Sequence, residues 1–181
     1  MLALLMCGGK GKRLNMGEKP LVKVCGKKLI DHSIQELREF ELIIVTSPYV
    51  PKTEGYVKSR NFEVFRACGR GFIQDYIQTC IEYSISEPVL IVSSDIVYFQ
   101  EGILEDVVSY YFKSNKPSLK VTNDGKPVGI NVIDPFFLDY KQEEEIYARN
   151  DIININTIED LLRAEEICMN TKKKEKDLQK D

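Results

Sequence analysis

The sequence predicts an α/β domain: a mainly parallel sheet with helices packed on its faces. Three observations predict it. Short apolar runs alternate with longer stretches of helical period, the pattern of successive strand–helix units. The chain has 181 residues, which fits one domain with a full core. Its composition, 43% hydrophobic and 29% charged, is that of an ordinary globular protein.

In chain order, Leu2 to Cys7 is a buried strand that runs directly into glycines. Ile30 to Phe40 is helical, with Ile30, Ile34 and Leu37 on one face. Leu42 to Ser47 is the second strand. Pro51 to Arg60 suits a helix because Pro51 fits a first turn, although Gly55 weakens it. Phe62 to Phe65 is a strand, and Phe72 to Ile85 is an amphipathic helix carrying Ile73, Tyr76, Ile77, Cys80 and Ile81. Val89 to Ser93 follows as a strand and Glu101 to Lys113 as a helix. Leu119 to Thr122 and Pro127 to Ile133 flank Asn-Asp-Gly at 123–125, a strong hairpin signal, with Pro127 opening its strand or sitting on an edge. The acidic Gln142 to Glu145 reads as a solvated surface segment. Ile152 to Asn156 leads into Thr157-Ile-Glu-Asp160, a capping box for a last helix with Ile158, Leu161, Leu162, Ile167 and Cys168 as its apolar stripe. Residues 172–181 are charged and are expected to fray beyond a single domain of residues 1–171.

Twenty-five Lys and Arg against 28 Asp and Glu give a net charge of -3, which excludes a strongly basic nucleic-acid coat. No apolar run approaches the roughly 18 residues needed to span a bilayer, so no membrane span is expected. The five cysteines are widely spaced, without a C-x-x-C pair or a secretory signal, and are expected to be free thiols in a reducing cytoplasm. Cys7 and Cys68 are expected only to pack. The single histidine, His32, cannot build a multi-histidine metal site.

The most informative segment is Cys7-Gly-Gly-Lys-Gly-Lys-Arg-Leu14 with Gly17-Glu-Lys-Pro20 after it. Gly8, Gly9 and Gly11 let the backbone turn and bring bare N–H groups to an anion. Lys10, Lys12, Arg13 and Lys19 add four cations, so the segment suits a nucleoside triphosphate or, in the bland alternative, is a basic solvated turn. Its spacing matches neither the P-loop nor the dinucleotide fingerprint. Asp95, after the strand ending at Ser93, lies where open α/β sheets bind ligands. A carboxylate there suits Mg2+ held with substrate phosphates, or it caps the next segment. Asn154 and Asn156 lie two apart and face one side if extended; Asn156 with Thr157 could instead cap the helix. Gly129 marks either close ligand approach or a bulge, with Asn131 beside it. Thr46, Ser47 and Gly69-Arg70-Gly71 are candidate contacts for base, ribose or phosphate.

The run Gly-Gly-x-Gly-x-Arg-Leu with a following Lys-Pro resembles the signature of sugar-nucleotide and cofactor nucleotidyltransferases. Further blocks are similar to the archaeal adenosylcobinamide-phosphate guanylyltransferase family: Cys-Gly-Lys-Lys-Leu-Ile-Asp at 25–31, Thr-Ser-Pro at 46–48, Glu-Pro-Val-Leu-Ile-Val-Ser-Ser-Asp at 87–95, Pro-Val-Gly-Ile-Asn-Val at 127–132 and Asn-Ile-Asn-Thr at 154–157. The family more often has threonine where this sequence has Lys12.

This resemblance implies a single-domain three-layer sandwich with a mostly parallel, Rossmann-like sheet and an antiparallel hairpin. It implies GMP transfer from GTP to adenosylcobinamide phosphate, with Mg2+ as cofactor and a homodimer as one possible assembly. It also implies Arg13 and Lys19 on the phosphates, Asp95 with Asn156 at the metal, and Gly129, Asn131 and Asn154 on the acceptor or phosphate side. A molybdenum-cofactor guanylyltransferase, a GTP-binding module without catalysis and a plain Rossmann cofactor binder are the rival readings.

Overall fold

The computed structural model describes residues 1–9, 11, 16–138 and 143–178. It opens with β1 (Leu2–Met6), an unbroken apolar strand because both of its faces are covered. A 3-10 turn at Lys19–Leu21 leads into the hairpin of β2 (Lys23–Val24) and β3 (Lys27–Lys28). Then come α1 (Leu29–Glu36), β4 (Glu41–Thr46), α2 (Pro51–Lys58), β5 (Glu63–Arg66), α3 (Phe72–Glu82) and β6 (Val89–Ser93). The second half adds β7 (Ile96–Tyr98), α4 (Ile103–Lys113), β8 (Ser118–Asn123), β9 (Lys126–Ile133), β10 (Glu144–Ala148), β11 (Ile152–Asn154) and α5 (Ile158–Leu178).

Seven strands form one sheet in the order β10, β8, β9, β6, β1, β4, β5. The run β6, β1, β4, β5 is parallel throughout and β10 is parallel to β8, whereas β9 runs against both β6 and β8. Helices cover both faces. Ala3 and Leu5 of β1 turn toward α1, α2 and α4, where Ile30, Leu37, Val57, Ile103, Leu104 and Val107 are buried. Leu4 and Met6 turn the other way, into a cluster with Cys80 of α3. The mainly parallel sheet with helices on its faces expected from the alternation is observed, and with it the three-layer sandwich and antiparallel hairpin that the resemblance implies. A third cluster, including Val24, Leu29, Val97, Ile153 and Ala164, packs α5 onto the small β2–β3 and β7–β11 pairs.

The hairpin lies where the Asn-Asp-Gly signal put it. Asp124 and Gly125 both have positive φ, 49° and 71°, as the turn that matches strand twist requires. Pro127 is tolerated because β9 pairs with β6 only from Ile130 onward, so no amide is needed from the proline toward β6. The last helix begins with the expected capping box: the Thr157 Oγ1 accepts from the Asp160 N–H at 3.2 Å, and the Asp160 carboxylate accepts from the Thr157 and Asn156 amides at 2.8 and 2.9 Å.

Three expectations fail. Residues 172–178, expected to fray, continue α5 as far as Leu178. The acidic stretch read as a surface segment includes Glu144 and Glu145, which belong to the edge strand β10. Lys120 pairs with Glu144 there, Tyr110 donates to Glu145 at 3.1 Å, and Tyr147 stacks on Tyr110 at 4.2 Å. An edge strand facing solvent on alternate residues reads as polar, which hides its period. Nor are all the cysteines free thiols: Cys25 is disulfide-bonded to Cys168, leaving Cys7, Cys68 and Cys80 free. Glu165 and Cys168 share one face of α5, and the Glu165 carboxylate accepts from the Cys25 N–H at 2.7 Å, bringing the two sulfurs together.

Candidate functional site

Strand order changes direction at β1: the chain first adds β4 and β5 on one side, then returns to lay β6 on the other. Ligands of open α/β sheets bind at such a switch point, beyond the carboxyl ends of the strands. A cavity of about 500 Å³ opens there. It is lined by Met6 at the end of β1, Cys7, Gly8, Gly9 and Gly11 after it, Tyr49 after β4, Gly69 to Phe72 after β5 and Ser93 to Asp95 at the end of β6. Lys19, Pro20, Asp75 and Asn156 complete the lining.

The chemistry centres on Lys19. Its ammonium forms an ion pair with the Asp95 carboxylate and donates to the Asn156 Oδ1 at 3.1 Å. Both ends of the ion pair are largely shielded, with side-chain exposures of 15% and 16%. The Ser93 hydroxyl donates to the other Asp95 oxygen at 2.5 Å, and the Asp95 carbonyl accepts from the Ile155 N–H at 2.8 Å. Asp95 and Asn156 are thus locked side by side although they come from distant parts of the chain.

The glycines serve this packing directly. A Cβ at Gly8 would stand 3.2 Å from the Ser47 Cβ, and the Ser47 hydroxyl donates to the Gly8 carbonyl at 2.8 Å. Gly11 has a φ of +59°, and a Cβ there would lie 3.1 Å from the Gly17 carbonyl oxygen. On the opposite wall Gly71 caps α3 with a φ of +135°. Asp75, in the first turn of α3, accepts from the Arg70 N–H at 3.0 Å and is buried.

Of the residues singled out from sequence, Gly8, Gly9, Gly11, Lys19, Gly69, Arg70, Gly71, Asp95 and Asn156 come together around this cavity. Lys10, Lys12 and Arg13 lie outside the described residues. Thr46 and Ser47 do not line the cavity: Thr46 is fully buried and donates to Glu54 at 3.1 Å, while Ser47 supports Gly8 from behind. Gly129 is a close-approach position, but its neighbour is the protein itself, since a Cβ there would lie 2.7 Å from the Ser93 Cβ. Asn131 sits within β9, paired with Ile91 of β6 short of the strand end, and does not reach the cavity. Asn154 and Asn156 do not act as a pair. Asn154 donates to the Val128 carbonyl at 2.9 Å within β11, and Asn156 falls beyond that strand's end.

Cys7 packs as expected, and burial pushes its thiol up to about 12, so it is neutral at pH 7. Cys68 does not pack; it is exposed. His32 is buried in α1 with its ring Nε2 2.9 Å from the Val24 carbonyl, and burial lowers its pKa. Asp75 was missed from sequence because an acidic residue in a first helical turn is sufficiently explained by the helix dipole.

A glycine-lined cavity at the switch point, with a lysine, a strand-end carboxylate and an amide converging in it, defines a nucleotide-binding α/β domain. The chain belongs to the MobA-like NTP transferase domain family, whose model matches residues 3–149. It is 37% identical to the adenosylcobinamide-phosphate guanylyltransferase of Methanocaldococcus jannaschii over 191 aligned positions, covering 91% of this chain and 96% of that one. The fold is shared with molybdopterin-guanine dinucleotide biosynthesis protein A from Archaeoglobus fulgidus, with a TM-score of 0.72 at 22% identity over 94% of this chain and 100% of that one. A protein described as a glucose-1-phosphate thymidylyltransferase from Bacillus anthracis superimposes with a TM-score of 0.70 at 12% identity, over 93% of this chain and 95% of that chain.

Proposed function

We propose that the protein transfers GMP from GTP to adenosylcobinamide phosphate, releasing pyrophosphate and forming adenosylcobinamide-GDP. The observation that carries this reading is the convergence of Lys19, Asp95 and Asn156 at the mouth of a glycine-lined cavity. The 37% identity to a relative of that activity, along nearly its full length, supports the choice of acceptor.

In this reading the triphosphate lies along Gly8, Gly9 and Gly11, whose lack of side chains admits it close to the backbone. Lys10, Lys12 and Arg13 come from the same stretch of sequence and add positive charge. Lys19 leaves Asp95 to hold a phosphate oxygen. The guanine reaches toward α3, where the Asp75 carboxylate, with one oxygen held by the Arg70 amide, matches the N1–H and N2–H2 donors of guanine and not the edge of adenine. Gly129, Asn131 and Asn154 lie outside the cavity lining and are assigned no contact.

The donor set fits Mg2+. Asp95 and Asn156 offer hard oxygens, and among the described residues no group of three or more His, Cys, Asp or Glu forms a protein-only cage. Two protein donors completed by phosphates and water is the usual arrangement for that ion. When bound, Mg2+ supplies neutralisation of charge on the phosphates. Ser93 keeps the Asp95 carboxylate oriented toward the cavity.

The acceptor is itself a phosphate, with a second pKa near about 6, so at neutral pH it is already largely dianionic and no general base is required. The site therefore works by alignment and charge neutralisation. His32, the single histidine, plays no part from its place within α1, outside the cavity lining.

The test is pyrophosphate release from GTP in the presence of a panel of phosphorylated acceptors, including molybdopterin. Release stimulated by adenosylcobinamide phosphate is expected. Equal rates with and without it, or stimulation by molybdopterin alone, overturn the assignment.

A further inference from the structure

We propose that Glu18 is a positioning residue for Lys19, clamping the lysine's backbone to the N-terminus of α2. This rests on the reading of Lys19 as a phosphate-binding residue. The N-cap position of α2, Val50, has no side chain able to satisfy the first helical amides. Glu18 does it from 34 residues earlier in the chain. Its Oε1 accepts from the Lys52 N–H at 2.9 Å, and its Oε2 accepts from the Thr53 N–H at 2.6 Å and the Thr53 hydroxyl at 2.7 Å.

A carboxylate against a helix N-terminus is favoured by the dipole, and these are charge-assisted bonds. The Glu18 backbone is held as well, since its carbonyl accepts from the Leu21 N–H at 2.9 Å to close the 3-10 turn containing Lys19 and buried Pro20. From the other side Gly11 approaches so closely that a Cβ there would stand 3.1 Å from the Gly17 carbonyl oxygen and 3.5 Å from the Lys19 amide nitrogen. The Lys19 Cα is thereby fixed to α2, and only its side chain spans the gap to Asp95, just beyond β6.

An ammonium that must meet developing charge on a triphosphate gains from such fixing. A displacement of about 1 Å in a reacting constellation can cost on the order of 100-fold in rate. Without the clamp the lysine remains but its starting point wanders.

The experiment is a double-mutant cycle on GTP affinity, measured calorimetrically for Glu18→Ala, Lys19→Ala and the double variant, with Glu18→Gln as the conservative substitution. Each single change is expected to weaken binding about 10-fold, the loss of one charge-assisted contact. The double variant should weaken it little further, because Glu18 acts through Lys19. Glu18→Gln, which retains one acceptor oxygen and the reach, should recover part of the loss. In parallel, acetic anhydride labelling of the protein without nucleotide is read by mass spectrometry. Lys19 is expected to label more slowly than exposed Lys23 in the wild type and several-fold faster in Glu18→Ala. Fully multiplicative losses in the cycle, or unchanged Lys19 labelling in Glu18→Ala, overturn the proposal. Failure of the wild type to bind GTP overturns the functional reading instead, and the labelling still decides the role of Glu18.

Discussion

Lys19 and Asp95 neutralise each other across 76 residues of sequence, so removing either leaves a partly shielded charge inside the cavity. Lys19→Ala and Asp95→Ala are each expected to lower nucleotidyl transfer by at least about 100-fold, the scale of losing one electrostatic contact to the transition state. Circular dichroism and a cooperative melt should show the fold intact; near-normal turnover by either variant removes it from the site. Asp75→Asn tests the base contact: it should narrow the preference for GTP over ATP, and an unchanged ratio places guanine elsewhere. The free thiols differ in accessibility. Exposed Cys68 is expected to react with iodoacetamide at pH 7, while Cys7, held neutral with its thiol pushed up to about 12, and buried Cys80 should resist. Lys19 and Asp95 were singled out in the sequence because cations beside glycines suit a multiply charged partner and a carboxylate after a strand lies where open α/β sheets bind ligands, although a solvated turn and a helix cap fitted the same residues. Thr46 was misread because its strand-end position does not reveal that its hydroxyl turns to Glu54.

Among the elements, α2 is held by charge at its N-terminus, through Glu18, and through its own Glu54. Within it, buried Glu54 accepts from Arg66 of β5 at 2.6 Å, from Lys58 at 2.6 Å and from Thr46 of β4 at 3.1 Å. The Arg66 hydrogen bond is the main reason its pKa is lowered to about 2 from an ordinary 4.5. A carboxylate depressed in the folded state stabilises fully above its unfolded value and loses that contribution as pH falls through the folded one. Urea midpoints should therefore fall between about pH 4.5 and 2, and Glu54→Gln should flatten that dependence. At pH 7 the same variant is expected to cost about 1–2 kcal/mol, a modest figure because Arg66 and Lys58 are more than half exposed. An equal acid slope in both proteins assigns the dependence to other groups. In β9, Gly129 has a φ of +83° and abuts Ser93, the residue that orients Asp95. Gly129→Ala is expected to destabilise by about 2–3 kcal/mol in urea unfolding, from strain and overpacking together. The glycine was legible as a close-approach position, but whether a ligand or the protein approaches it depends on β6 and β9 being neighbours. The strand β10 was not legible at all, since its pairing with β8 comes from register and not from apolar content.

For the whole molecule, the disulfide joins the two segments that deliver Lys19 and Asn156: Cys25 follows the first in β2–β3, and Cys168 follows the second in α5. It closes 143 residues, for which chain-entropy arguments give about 4–5 kcal/mol as an upper estimate. Reductant should lower the melting temperature of the wild type and leave that of Cys25→Ser unchanged; a wild type indifferent to reductant contradicts the link. By itself the sequence determined the α/β class, the hairpin turn, the capping box of α5 and the glycines after β1. These are written in the spacing of near neighbours, where backbone conformation and helical or strand period are set. Only the tertiary structure decided which distant residues meet. Lys19 reaches Asn156 across 137 positions, Glu18 caps a helix it does not belong to, Cys25 finds Cys168, and Thr46, Asn131 and Asn154 fall outside the cavity lining. Strand order and side-chain direction within the packed layers fix those pairings, and neither is specified by any short stretch of chain.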